Sequence, residues 1–87
     1  MNRSEFEAEL KRDGYEVKES ELGPMEPKPQ HTHDFDARVF VLDGEITIVT
    51  GDKSTTYRKG DDYSLAAGTM HTEVVGPGSV KYVAGRR

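Results

Sequence analysis

From Ala37 onward, apolar and polar residues alternate in short runs, and each run stops at a turn signal. Arg38-Val39-Phe40-Val41-Leu42 ends at Asp43-Gly44, a dipeptide favoured in tight hairpins. Glu45-Ile46-Thr47-Ile48-Val49-Thr50 follows, rich in the β-branched residues that suit a pleated surface, and stops at Gly51-Asp52-Lys53. Further strands are predicted over 55–58, 63–65, 71–75 and 80–84. Between them lie Lys59-Gly60-Asp61, the small-residue stretch Ala66-Ala67-Gly68-Thr69-Met70, and Gly76-Pro77-Gly78. Tyr15 to Leu22 alternates more loosely and predicts an edge strand. Seven or eight short strands at a spacing of roughly 8–12 residues predict an all-β sandwich or barrel.

The amino end has a different period. Phe6 and Leu10 are four apart and share a helix face. Ser4 with Glu7 fits a capping box, and Gly14 after Lys11-Arg12 reads as a helix stop. A helix over residues 4–13 that caps a sheet is therefore expected. Gly23 to Pro29 holds three prolines, which remove backbone donors and fix φ, and predicts a connecting loop. The expected organisation is a single domain over residues 1–87, with the helix in 1–14 and the barrel in 15–85.

Composition narrows the function classes. Of 87 residues, 33% are hydrophobic and 32% charged, so the core must be thin, but its residues are clustered in runs as a folded chain requires. A formal charge of −4, with Arg86-Arg87 as the only basic cluster, argues against nucleic-acid binding, which needs a surface that neutralises phosphates. There is no cysteine, which excludes disulfides, thiolate metal sites and a cysteine nucleophile. The start lacks the apolar run of a secretory signal, and no stretch approaches the roughly 18 apolar residues of a membrane span. A cytoplasmic protein with no membrane partner is the expectation.

The three histidines carry the candidate chemistry. His31 and His33 are separated by one residue, so on a strand both side chains point to the same face and reach one metal ion. With His71 they make a three-imidazole set suited to a divalent transition metal such as zinc, iron, nickel, manganese or copper. Glu73, two residues after His71, shares its face on a regular strand and is the leading auxiliary acid. Asp34 and Asp36 flank the pair, and Asp36 is a weaker auxiliary candidate because a one-residue shift reverses the facing. Phe35 and Met70 lie close to the histidines in the chain and are candidates to line a pocket. Arg38 faces outward and reads as an ion-pair partner, whereas Phe40, Tyr57, Tyr63 and Tyr82 read as packing groups.

The segments around these histidines resemble the two motifs of the cupin superfamily. His31-x-His33 with ten residues to Gly44 is similar to the first motif, and Gly60-x₇-Gly68-x₂-His71 to the second. The resemblance covers about residues 25–84 and implies a double-stranded β-helix or jelly-roll barrel of the small single-domain, Cupin_2-like kind, with the short helix in front. Four positions depart from the pattern. Ala37 stands where the family has its metal-binding glutamate and would line the pocket instead. Ala66 replaces a proline, Met25 stands at a leading glycine, and Val75 takes a place often held by asparagine. Three-histidine iron sites occur in some cupin-type enzymes, thiol dioxygenases among them, so the resemblance still implies a metal at His31, His33 and His71.

With Ala37, Val39 and Val41 inward, Phe40 and Leu42 fall on the opposite face. Small monomers avoid exposing such a face, so a homodimer is expected, as small cupins often form. Function resolves into three alternatives. One is a metal-dependent enzyme acting on a small polar molecule, with dioxygenase, isomerase, epimerase or lyase chemistry all allowed by the resemblance. The second is a non-catalytic small-molecule-binding or sensory module, with or without a structural metal. The third is a structural barrel whose metal site has decayed.

Overall fold

The computed structural model describes residues 1–24 and 30–87. The position of Met25 and most of the proline-rich connection lie outside the described residues. Among the described residues, helix α1 spans Arg3–Arg12, and seven strands follow: β1 Glu16–Leu22, β2 Ala37–Asp43, β3 Glu45–Thr50, β4 Lys53–Arg58, β5 Asp62–Leu65, β6 Thr72–Val75 and β7 Val80–Arg86. They form two antiparallel sheets, one ordered β1-β7-β2-β5 and the other β4-β3-β6. The all-β class expected from the turn spacing and the jelly roll implied by the resemblance are both the architecture observed.

One turn has a different role from the expected one. Asp43-Gly44 does not close a hairpin, because β2 pairs with β5 and β7 whereas β3 pairs with β4 and β6. The chain leaves one sheet and enters the other at Gly44, whose φ is +80°. A Cβ there would lie 2.1 Å from the carbonyl oxygen of Ser79, so only glycine fits this crossing. The true two-residue hairpin is Gly51-Asp52, where Thr50 and Lys53 are partners.

The helix is shifted one residue from the expected range and is capped differently. Asn2, not Ser4, is the N-cap. Its side chain accepts from the Glu5 backbone N–H, and the Glu5 carboxylate accepts from the Asn2 N–H. Ser4 already lies inside the first turn, where it cannot cap. Lys11 and Arg12 in the last turn face the negative end of the helix dipole.

Side-chain alternation on β2 and β7 builds two separate cores. Val41 and Val80 face the second sheet and pack with Ile46, Ile48 and Val75. Phe40 and Val83 face the other way and pack under Phe6 and Leu10 of α1. Phe6 and Phe40 lie 5.4 Å apart between ring centroids. Arg38 pins the helix by pairing with Glu9 at 3.2 Å and resting 5.0 Å over the Phe6 ring, which is the outward ion-pair role read from its parity. Arg3 bridges Glu7 and, across to β1, Glu19. Thus α1 covers the apolar face of Phe40 on which the homodimer argument rested.

Phe6 is fully buried at this contact. Phe6→Ala is expected to cost about 3–5 kcal/mol in urea unfolding, because it empties the cavity between helix and sheet. A loss below about 1 kcal/mol would mean that α1 does not dock as described.

Candidate metal centre

The second sheet does not end at β6. His31 and His71 form an isolated antiparallel bridge just before β6 begins. Both backbone hydrogen bonds are made, His31 N–H to the His71 carbonyl and His71 N–H to the His31 carbonyl, each at 3.0 Å. The pair read as lying on a strand therefore has only its first member in a bridge. His33 sits in the following turn, where its carbonyl accepts from Gly68 N–H at 2.9 Å. Gly68, at φ +83°, makes the small-residue turn that returns the chain to His71.

This pairing draws three rings together. The His31 and His71 centroids are 4.4 Å apart, His31 and His33 5.1 Å, and His33 and His71 5.2 Å. Glu73 joins them from the same face of β6. Its Oε1 lies 3.5 Å from His71 Nε2 and 3.7 Å from His31 Nε2. One donor atom from each of His31, His33, His71 and Glu73 lies within 4.8 Å of every other, an arrangement compatible with a metal ion.

His71 tests whether the site suits a cation. Its side chain is only 1% exposed, and Nδ1 lies 2.9 Å from the Thr69 carbonyl oxygen. A carbonyl can only accept, so Nδ1 carries the proton, and in the neutral form of the ring the lone pair is at Nε2. That Nε2 is buried and has no hydrogen-bond partner. A lone pair held 3.5 Å from a carboxylate oxygen without a donor between them is unfavourable, and a cation relieves it. The donor set therefore fits a metal.

His33 has its pKa lowered from the ordinary 6.5, first because burial disfavours the charged ring and next because His71 and His31 stand close; Glu73 offsets part of this. The shift keeps the imidazole unprotonated and able to ligate near neutral pH. Tyr63 is pushed well above the usual phenol range, by burial first and then by the charge of Glu73.

The cluster opens into a cavity of about 200 Å³ between the sheets. Phe35 and Ala37 line it as expected, with Phe35 stacked 4.8 Å from His33. Met70 does not: it is 50% exposed, since the turn that buries His71 sends the preceding side chain the opposite way. Asp36 is also outside the cluster. Its carboxylate accepts from Ala67 N–H at 2.9 Å and faces Arg87 at 3.9 Å, and its backbone pairs with Arg87. It ties the histidine connection to the chain's last residue.

Sequence reading missed three groups at the cavity. Tyr63 and Tyr82, assigned to packing, both line it, Tyr63 under the influence of the Glu73 charge. Arg86, taken for part of a basic tail, also lines it, because β7 runs two residues further than expected and ends at Arg86. Strand parity was the available signal: Val80, Tyr82, Ala84 and Arg86 alternate onto one face.

A jelly roll that brings histidines from one connection and from the second sheet to the mouth of its interior is the architecture of the cupin superfamily. Residues 18–84 match the family model described as "Cupin_2: Cupin domain", and the chain belongs to that family. A search of curated proteins finds no match. Among solved structures, the chain is similar to a cupin-2 domain containing protein from Shewanella frigidimarina, with 22% identity and a TM-score of 0.68 over 84% of this chain and 71% of that one. It is similar to the polyketide cyclase RemF from Streptomyces resistomycificus, with 22% identity and a TM-score of 0.68 over 83% of this chain and 54% of that one. The EutQ protein of Clostridium difficile matches at 15% identity with a TM-score of 0.72, over 88% of this chain and 60% of that one. The chain thus spans little more than half the length of the latter two, and these likenesses establish the fold.

In metal-free protein, the His33 ring signal followed by NMR is expected to titrate with a midpoint below 6.5. The unfolded chain then binds the proton more tightly, so this group's contribution to stability is present above pH 6.5 and is lost as pH falls through the folded midpoint. A midpoint at or above 6.5 would contradict the crowding described.

Proposed function

We propose that this cupin binds a divalent transition metal through His31, His33 and His71, with Glu73 as the fourth ligand, and holds a small polar molecule in the adjoining cavity. The observation that carries the reading is the buried, unpartnered Nε2 of His71 within a four-donor cluster. Glu73 takes the role left open by Ala37. It supplies from β6 the negative charge that the family pattern supplies from β2.

The bound metal would serve as a Lewis acid toward an oxygen of the ligand. The protein's own part follows from its side chains. Thr69 fixes the His71 tautomer, Phe35 and Val39 exclude water along one wall, and Tyr63 keeps its phenolic proton and can donate it in a hydrogen bond. Four protein donors saturate a tetrahedral ion but leave positions on a five- or six-coordinate one. Chemistry on a ligand therefore calls for the higher coordination number. A non-catalytic binding or sensory module is the second reading, favoured by a cavity of about 200 Å³ that is smaller than most ligand sites.

Untagged protein loaded with nickel, zinc, manganese or ferrous iron and then dialysed is expected to retain about one ion per chain. His71→Ala should weaken retention at least ~10-fold, and Glu73→Gln should weaken it without unfolding the barrel. Wild-type protein that keeps far less than one ion of every metal would overturn the proposal. Turnover assays on the loaded protein separate an enzyme from a binding module.

Any homodimer must use a surface other than the one inferred from β2, since α1 covers Phe40. Light scattering decides it, and a monomer mass at micromolar concentration removes the dimer.

A further inference from the structure

The cavity carries a charge arrangement unlike that of the family pattern. Ala37 on β2 and Arg86 on β7 are direct cross-strand partners, and both line the cavity. Cross-strand partners share a face. Where the pattern has a glutamate, this chain has a methyl group, and its neighbour on the same face is a guanidinium. The glutamate's volume is left to the cavity, and the local charge changes from negative to positive.

Arg86 has no carboxylate partner among the described residues. Glu9 pairs with Arg38, Glu45 with Arg58, and Asp36 with Arg87. Arg86 is exposed at the cavity mouth and rests on the Phe35 ring, its guanidinium carbon 4.7 Å from the ring centroid. That ring in turn stacks on His33. An aromatic face thus positions Arg86 beside the histidine cluster, with no acid among the described residues paired to its planar row of donors. Such a fork matches a carboxylate in two parallel hydrogen bonds.

Away from the histidine cluster the wall is apolar or weakly polar, with Leu22, Val39, Ile46, Leu65 and Ala84 and the phenols of Tyr63 and Tyr82. His33 and the carboxylate of Glu73, whose charge a bound cation would offset, line the end beside the cluster. A cavity of about 200 Å³ suits a compact occupant of a few carbon atoms. We propose that the cavity binds a small organic carboxylate, its anionic head on Arg86 in the space left by Ala37 and its short aliphatic body against the apolar wall. This deepens the metal-site reading, on which the ligand's position beside the cluster rests. Arg86 itself acts as the specificity-determining residue.

The test compares isobutyrate with isobutyramide, which has the same size and shape but no charge. Binding is measured by calorimetry on nickel-loaded and on metal-free protein, with metal content assayed in each sample. Isobutyrate is expected to bind nickel-loaded wild type at least tenfold more tightly than the amide. Arg86→Gln should abolish that preference at unchanged nickel content. Nickel retention and an unchanged unfolding midpoint in Arg86→Gln guard against a folding defect in that variant. Equal affinity for the two probes, or a preference that survives Arg86→Gln, overturns the proposal. If wild type retains no nickel, the metal reading fails separately. The same comparison on metal-free protein then decides whether Arg86 selects the carboxylate.

Discussion

Two backbone hydrogen bonds between His31 and His71 hold the candidate centre together. They join segments forty residues apart and extend the second sheet by one bridge. Without that pairing, His31 and His33 belong to a turn-rich connection and His71 to the start of a short strand. With it, three imidazoles and the Glu73 carboxylate converge on one point. The convergence has an electrostatic cost. A carboxylate stands close to the imidazole nitrogens, and the buried His71 ring keeps one nitrogen without a hydrogen-bond partner. Such an unsatisfied polar group costs stability locally, in a cluster compatible with a cation.

The first sheet supports this site by being loaded on both faces. Its inner face shapes the cavity through Ala37, Val39, Ala84 and Arg86, while its outer face receives α1 through Phe40 and Val83. Gly85 on β7 matters here, because a Cβ at that position would lie 2.8 Å from a Leu10 methyl carbon. The helix can approach closely only because β7 is bare at that point. A thin core of an 87-residue chain is thereby split into two small ones, each closed by aromatic or branched residues. The helix covers the face on which a second copy was expected to pack.

Much of this was legible in local sequence. Turn residues and β-branched runs marked the strands within a residue or two, because strand and turn preferences act over a few neighbours. The parity of Val39, Phe40 and Val41 assigned both faces of β2, and the parity of His71 and Glu73 placed the carboxylate with the histidines. Errors arose where a short motif suits two structures. Asp43-Gly44 favours a tight reversal, but whether that reversal closes a hairpin or moves the chain between sheets depends on what β3 pairs with. Ser4 with Glu7 fits the same capping pattern that Asn2 with Glu5 forms just before it in the structure.

Spacing alone was therefore enough for the strand order along the chain, the all-β class and the shared facing of His31 with His33, since each is a property of neighbouring residues. The vacancy at Ala37 and the link to His71 came instead through the resemblance to the cupin motifs. The folded chain was needed for contacts between distant segments. It turned the Phe6 stripe onto Phe40, sent Met70 to the surface, and drew Asp36 away to Ala67 and Arg87. It also paired Ala37 with Arg86 across two strands. No local preference encodes those contacts, because they follow from the competition of many segments for one small interior.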